Sequence, residues 1–455
     1  MKHIHIPGIC GTFMGSLALL AKAKGFHVTG SDTNIYPPMS TLLEKHKLVI
    51  YDSFDPAHLN PAPDLIVVGN ALSRGNPEIE HMLNAGLPYT SGPAFLAEHI
   101  LKDKWVLAVA GTHGKTTTAA MLAWILDYTK KAPGFLIGGI PLNFGVPSRL
   151  GETDFFVIEA DEYDTAFFDK RSKFIHYHPK TTVINNLEFD HADIFDDLKS
   201  IQKQLHHLIR TLPANGLIIV PENDTAISET LSMGRWTPVE KIGEKGRWKA
   251  QLTESDGSSF TVLCDNDVQG SINWQLTGEH NVQNALSAVA AACHAGIQPA
   301  LACEALTSFA GIKRRMELLA EIKGVRIYDD FAHHPTAIAV TLNGWRQHVG
   351  DIRRIFAVIE PGSNTMKQGI HQHTLADTVN QADEVIWFEP DGLCWSLEQV
   401  ARSSSVPSSV FHHTSDIINY LLETTQPGDD VIIMSNSDFN NLHNQLIKLL
   451  QTHTN

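Results

Sequence analysis

Val106-Leu-Ala-Val-Ala-Gly-Thr-His-Gly-Lys-Thr-Thr-Thr118 brings together the residue types that hold a phosphate. An apolar run of strand type meets a glycine-flanked turn, and a helical run follows from Ala119 to about Tyr128. In such a loop, backbone N–H groups at a helix start face the anion, a lysine reaches the outer phosphates and a hydroxyl reaches Mg²⁺. Gly111, Thr112, His113, Gly114, Lys115, Thr116 and Thr117 are the residues this assigns to phosphate. The strict pattern has a glycine where this chain has Val109, so the match is to a variant loop. A glycine-rich connection with a solvated Lys115 is the competing reading.

Two later strand ends carry acids and histidine. Asp154-Phe-Phe-Val-Ile-Glu159-Ala-Asp-Glu-Tyr-Asp164 delivers a carboxylate cluster, and Thr181-Thr-Val-Ile-Asn-Asn186 runs into Leu187-Glu-Phe-Asp-His191-Ala-Asp193. One or two carboxylates suit a nucleotide-bound Mg²⁺, and two such ends after a phosphate loop point to a metal–nucleotide site. Near the N-terminus, Gly8-Ile-Cys10-Gly11-Thr12-Phe-Met-Gly15 departs from the dinucleotide spacing, but Asp32 ends the second strand where a ribose-binding carboxylate belongs. A nucleotide-type ligand and mere helix–strand packing both fit these glycines. Asn70 and Arg74, after the strand Asp64-Leu-Ile-Val-Val-Gly69, either line the same site or shape a turn. Arg314-Arg315 suits an outer phosphate; by spacing alone the pair also reads as surface charge. Asp329-Asp330-Phe-Ala-His333-His334-Pro335 is the one histidine pair set beside an aspartate pair at a strand end.

The elements that must position these groups alternate between strand and helix, which implies mostly parallel sheets covered on both faces. Between about 216 and 275 the pattern changes to short runs (Gly216-Leu-Ile-Ile-Val220, Phe260-Thr-Val-Leu263, Ser271-Ile-Asn-Trp274) with polar turns, read as an antiparallel addition. The fold class expected is α/β in three domains: a Rossmann-like unit over 1–103, a P-loop-type mostly parallel sheet with a small antiparallel addition over 104–312, and a second Rossmann-like unit over 313–455. A chain of 455 residues exceeds what one core usually serves. The 35 basic and 50 acidic side chains give a net charge of −15, against extended nucleic-acid binding. Five scattered cysteines without a C-x-x-C pair indicate reduced thiols and no thiol metal cluster. The N-terminus lacks a signal-peptide layout and no apolar run is long enough to span a bilayer, so the expectation is a cytoplasmic protein with no membrane partner.

Taken together, Gly111-Thr-His-Gly-Lys-Thr-Thr117, Glu159-Ala-Asp-Glu162, His280-Asn281, Arg314-Arg315 and Asp329-Asp330-Phe-Ala-His333-His334-Pro335 resemble the Mur ligase family, in order and across essentially the whole chain. Phe167-Phe-Asp-Lys-Arg-Ser-Lys173 and Ser363-Asn-Thr-Met-Lys367 place it closest to the peptide-adding members that use UDP-N-acetylmuramate. The resemblance implies an ATP- and Mg²⁺-dependent ligase that joins the murein tripeptide L-alanyl-γ-D-glutamyl-meso-diaminopimelate to UDP-N-acetylmuramate through an acyl phosphate; addition of L-alanine is the alternative. It further implies that Gly8, Cys10, Gly11, Thr12, Asp32 and Asn70 hold the UDP sugar, and that Lys115, Thr116, Asn281 and Arg314 or Arg315 hold ATP. Thr116, Glu159 and His191 would bind the metal. Lys115, Arg314, Asp330 and His333 would be catalytic. The third domain departs from the family pattern at Gly362, where an arginine is usual, and at Ser437-Asp438, where two glycines are, which leaves the peptide carboxylate contacts open.

Overall fold

The computed structural model describes residues 2–37, 39–192 and 194–452, so Asp193 lies outside the described residues. Three large sheets carry the chain, beside a two-stranded one made of Asp164–Ala166 and Asp169–Ser172. The first is five-stranded and parallel, with His3–Pro7 at its centre, flanked by His27–Ser31 and Leu65–Val68. Its outer strands are Val49–Tyr51 and Tyr89–Ser91. Val49–Tyr51 escaped the sequence reading because three partly exposed residues carry no usable periodicity.

The second sheet has ten strands. Its middle is Trp105–Ala110, paired in parallel with Phe155–Glu159 on one side and Thr181–Ile184 on the other. One expectation needs correction here. The run Gly216 to Val220 was assigned to the antiparallel addition, but Leu217–Pro221 pairs in parallel with Thr181–Ile184 and extends the main sheet, as does Val239–Ile242 beyond it. The helix Leu198–Ile209 connects the first two of these strands, and a crossover of that kind returns the chain parallel. The antiparallel addition consists of Trp248–Leu252, Ser259–Cys264 and Asp267–Asn273 at one edge, and Ser148–Arg149 pairs antiparallel with Gly134–Leu136 at the other. The third sheet has six strands, five of them parallel (Val325–Asp330, Ile355–Ile359, Glu384–Phe388, Ser408–Phe411, Asp430–Met434), with Glu317–Ile322 antiparallel at one edge.

The helix after the phosphate loop spans Lys115–Tyr128, four residues earlier at its start than the sequence suggested. Three successive threonines have weak helix propensity. They are helical because their hydroxyls are used in the interior: Thr116 donates to Glu159 and Thr118 to Asn284. The latter contact seats this helix against the alanine-rich helix Glu279–His294. One apolar core runs without a break from the first sheet, through Phe95 and Leu96, to Val106, Ile158 and Leu205 of the second. The third sheet keeps its own apolar cores.

Candidate active site

Because Trp105–Ala110 lies between Phe155–Glu159 and Thr181–Ile184 in register (Val109 beside Glu159, Ala110 beside Ile184), the three strand ends open on one crevice. This is where open α/β sheets bind ligands. The loop that follows is tied to the neighbouring strand end: His113 N–H donates to Asn186 Oδ1 at 2.7 Å, and Glu188 N–H donates to Thr112 Oγ1 at 2.9 Å. Gly111 and Gly114 have φ of 125° and 77°, and a Cβ at Gly114 would lie 2.5 Å from Asn284 Oδ1, so both turns need glycine.

Lys115 is 7% exposed and folds back over the loop. Its ammonium donates to Gly111 O at 2.7 Å and pairs with Glu162 Oε2 at 3.0 Å. Burial pushes this ammonium down, but Glu162, with Asp161 and Glu159 behind it, outweighs burial and raises it to about 12. Burial likewise pushes Glu162 up, and Lys115 and His191 reverse this to about 2. His191 Nε2 lies 3.0 Å from Glu162 Oε1, and against the effect of burial Glu162 raises the imidazole. Glu159 accepts from Thr116 Oγ1 at 2.8 Å and from Gly138 N–H at 2.6 Å, and burial, then Asp161, raises its carboxyl. Thr116 is thus joined to Glu159, and Glu162 joins His191 to Lys115. Sequence reasoning placed Glu162 in the cluster but gave it no role; its spacing of three from Glu159 past a strand end was the signal.

The third domain reaches the loop through His334, whose ring centroid lies 4.6 Å from that of His113. Glu188, also unassigned from sequence, spans the junction: it accepts from Thr336 Oγ1 at 2.8 Å and sits 3.4 Å from His113 Nε2. Thr365 Oγ1 donates to Asp190 at 2.9 Å across the same seam. His333 Nδ1 lies 2.9 Å from Phe331 O, which can only accept, so the proton is on Nδ1 and Nε2 is left as an acceptor. Burial lowers this imidazole to about 4. Asp330 is locked in the backbone, accepting from Ala332 N–H and Met316 N–H at 2.8 Å each. Arg314 is also committed, donating to Ser435 O and Ser437 O at 2.8 and 2.7 Å. Its neighbour Arg315 stacks on Phe331, and burial, with a smaller contribution from its charge, depresses His280 and His333. Asn281 donates to Thr277 O at 2.8 Å, and its Oδ1 accepts from Asn284 Nδ2 at 3.4 Å, at the start of Glu279–His294.

In the first domain Asp32 closes the glycine loop, accepting from Cys10 N–H at 2.9 Å and Asn34 N–H at 2.9 Å. Burial, then Asp32, raises the Cys10 thiol to about 11, so it stays protonated. Gly8 N–H donates to Ser31 O at 2.7 Å. Gly11 caps the helix Thr12–Ala23, leaving first-turn N–H groups facing the crevice of this sheet. Asn70 follows Leu65–Val68 at the same end. Arg74 belongs to a turn instead, forked onto Glu80 at 2.8 and 3.0 Å. The two departures in the third domain meet each other: the Ser435 and Ser437 hydroxyls both donate to Glu360, and a Cβ at Gly362 would come 3.0 Å from Asn436 Oδ1.

Three family models match in succession: Mur ligase family, catalytic domain, over residues 3–104; Mur ligase middle domain over 109–292; and Mur ligase, glutamate ligase domain, over 314–437. The chain is 53% identical over 98% of its length to the UDP-N-acetylmuramate–L-alanyl-gamma-D-glutamyl-meso-2,6-diaminoheptandioate ligase of Escherichia coli K12, covering 97% of that protein. It is 31% identical over 98% of its length to the UDP-N-acetylmuramate–L-alanine ligase of Desulfitobacterium hafniense Y51, covering 99% of it. The crystal structure of a murein peptide ligase from Psychrobacter arcticus 273-4 superposes with a TM-score of 0.77 at 49% identity, each chain covered in full. With the phosphate loop, the strand-end carboxylates and the third-domain histidines placed as described, the chain belongs to the Mur ligase family.

Proposed function

We propose that the protein joins the tripeptide L-alanyl-γ-D-glutamyl-meso-diaminopimelate to the carboxyl group of UDP-N-acetylmuramate, with ATP converted to ADP and phosphate. The observation that carries this reading is that a phosphate loop, a buried carboxylate pair and a third-domain imidazole meet at one seam, in a chain 53% identical to the E. coli ligase of that printed name. Residues 1–103 serve the UDP sugar, 104–312 ATP, and 313–455 the peptide and part of the ATP site. A cytoplasmic location follows from these substrates, and among the described residues no helix is long and apolar enough to cross a membrane.

A carboxylate is a poor electrophile, so it first takes the γ-phosphoryl group of ATP; the peptide amine then attacks the acyl phosphate and phosphate leaves. Phosphoryl transfer of this kind depends on positioning and charge neutralisation. Lys115 supplies one cation on the loop, and Arg315 a second from the third domain, since Arg314 is occupied. The Thr116 hydroxyl, the Glu159 and Glu162 carboxylates and the His191 imidazole form a donor set suited to Mg²⁺, which when bound neutralises phosphate charge. The Lys115–Glu162 pair opens as phosphates arrive, releasing the ammonium to them. His333, neutral with a free Nε2, is the group that takes a proton from the amine.

Mass analysis of products from UDP-N-acetylmuramate, ATP and either the tripeptide or L-alanine tests this. The expected result is a tripeptide adduct with one ADP per product; phosphate release with L-alanine alone overturns the tripeptide assignment.

A further inference from the structure

Lys173 is a buried lysine that no described residue neutralises directly. It begins the short turn Lys173–His176 after the strand Asp169–Ser172 and is 6% exposed. Among the described residues no hydrogen-bond acceptor for its ammonium and no carboxylate within 4.0 Å is found. Instead the nitrogen stands 4.9 Å from the ring centroid of Phe13 and 5.3 Å from that of Tyr163. Those two rings come from the two halves of the site. Phe13 lies in the first turn of the helix that opens the sugar-side glycine loop, and Tyr163 directly follows Glu162, the partner of Lys115.

The backbone of this lysine is fixed to the same carboxylate segment. Lys173 N–H donates to Tyr163 O at 2.9 Å, and Ser172 Oγ donates to Glu162 O at 2.6 Å. Asp161, Glu162 and Glu159 draw on the ammonium from a distance, but burial prevails and holds it below its ordinary value. An unpaired buried cation costs stability, and two aromatic faces return only part of that cost. Such a group is kept where an anion arrives to meet it.

Resting on the ligase reading above, we propose that Lys173 is a substrate-binding residue whose ammonium receives the lactyl carboxylate of UDP-N-acetylmuramate and presents it to ATP. Two anionic groups of that substrate could reach a cation here, the diphosphate and the carboxylate. The N–H groups after Gly11 face the first, whereas Lys173 stands on the side toward Glu162 and Lys115, the path a carboxylate must take to the γ-phosphate. A carboxylate oxygen forms its bond to the γ-phosphorus as the bond from that phosphorus to the bridging oxygen breaks, and the electron pair leaves with ADP. No proton moves in this step. The acyl oxygen that is not phosphorylated stays within reach of the ammonium and is paired again when amine attack makes it an oxyanion.

Lys173→Met keeps the length of the side chain and removes the charge. Calorimetric binding of UDP-N-acetylmuramate and of UDP-N-acetylglucosamine, the same nucleotide sugar without the lactyl group, separates the two anions. For the variant we expect affinity for the lactyl-bearing sugar to fall about 10- to 100-fold, as for a lost charged hydrogen bond. Affinity for UDP-N-acetylglucosamine and for ATP stays within about twofold, and the unfolding midpoint is unchanged or higher because an uncompensated buried charge is gone. Equal losses for both sugars, no loss for either, or a lowered midpoint with unchanged affinities overturns the proposal. Lys173→Gln gives the same comparison if the methionine variant does not fold. The binding readout needs no turnover, so a wild-type chain that binds UDP-N-acetylmuramate but makes no product would overturn the ligase reading alone.

Discussion

At the scale of single residues, the phosphate loop holds its lysine in a buried ion pair. Lys115 and Glu162 are both almost fully buried, and each holds the other in its charged form. Removing one partner of such a pair strands the other in low dielectric, whereas removing both does not. Lys115→Met is therefore expected to abolish turnover and to lower stability by about 3 kcal/mol. The double variant Lys115→Met, Glu162→Gln should recover most of that stability and none of the activity, as urea titrations beside a phosphate-release assay would show. A double variant as unstable as the single one would mean that the pair is not what holds Lys115 in place. Arg315→Ala should cost more turnover than stability. Arg314→Ala should do the reverse, because Arg314 ties the carbonyls of Ser435 and Ser437. From the sequence these two arginines are equivalent, and only their partners distinguish them.

At the scale of elements, what was legible followed from periodicity and what was not followed from pairing. Trp105–Ala110 and Phe155–Glu159 are recognisable as buried strands because they are apolar runs, the second up to its terminal Glu159. Leu217–Pro221 is just as apolar, but a strand's sequence does not name its neighbour, and the change of pattern after it drew it into the wrong group. A close approach between domains was equally hidden. Gly344 lies inside the helix Pro335–Val349, where helix propensity favours alanine by about 1 kcal/mol. A Cβ there would stand 2.7 Å from Gly278 Cα, backbone that cannot turn aside. Gly344→Ala is accordingly expected to destabilise by about 1–3 kcal/mol and to raise the KM for ATP, by prising the third domain from the segment that leads into Asn281. A variant more stable than wild type would show that this contact is loose in solution.

For the whole molecule, the apolar core that runs from the first sheet into the second makes those two domains one body. The third domain meets them through contacts such as Glu188 with Thr336, Asp190 with Thr365 and Asp256 with His348. Polar seams open and close at lower cost than apolar ones, so ligand-driven movement belongs to the third domain. X-ray scattering with and without ATP and UDP-N-acetylmuramate should show a smaller radius of gyration when both are bound. The seam also predicts acid sensitivity. His280, His333 and His334 are held below 6.5, chiefly by burial, the first two to about 4. Unfolded, they bind protons that the folded chain refuses, so stability is full above about pH 6.5 and falls on acidification at about 1.4 kcal/mol per pH unit for each. His191, raised against burial by Glu162, gains its stability at higher pH, as pH falls toward about 6.5, and adds nothing further below that. Urea midpoints at pH 7.5 and 5.5 should therefore differ by a net loss at the lower pH, and His280→Gln should shrink that loss.

The sequence alone determined the three-domain α/β plan, the phosphate loop, the strand-end acids and the family, because these depend on local pattern: apolar runs, glycine turns, and charged residues just past a strand. Only the tertiary structure decided which groups face one another. It committed Arg314 and Asp330 to backbone, gave Glu162 and Glu188 their places between elements, and left Lys173, between the two halves of the site, without a counter-charge among the described residues. Distance and burial set the charge state of each, and neither is a property of the residue or of its neighbours in the chain.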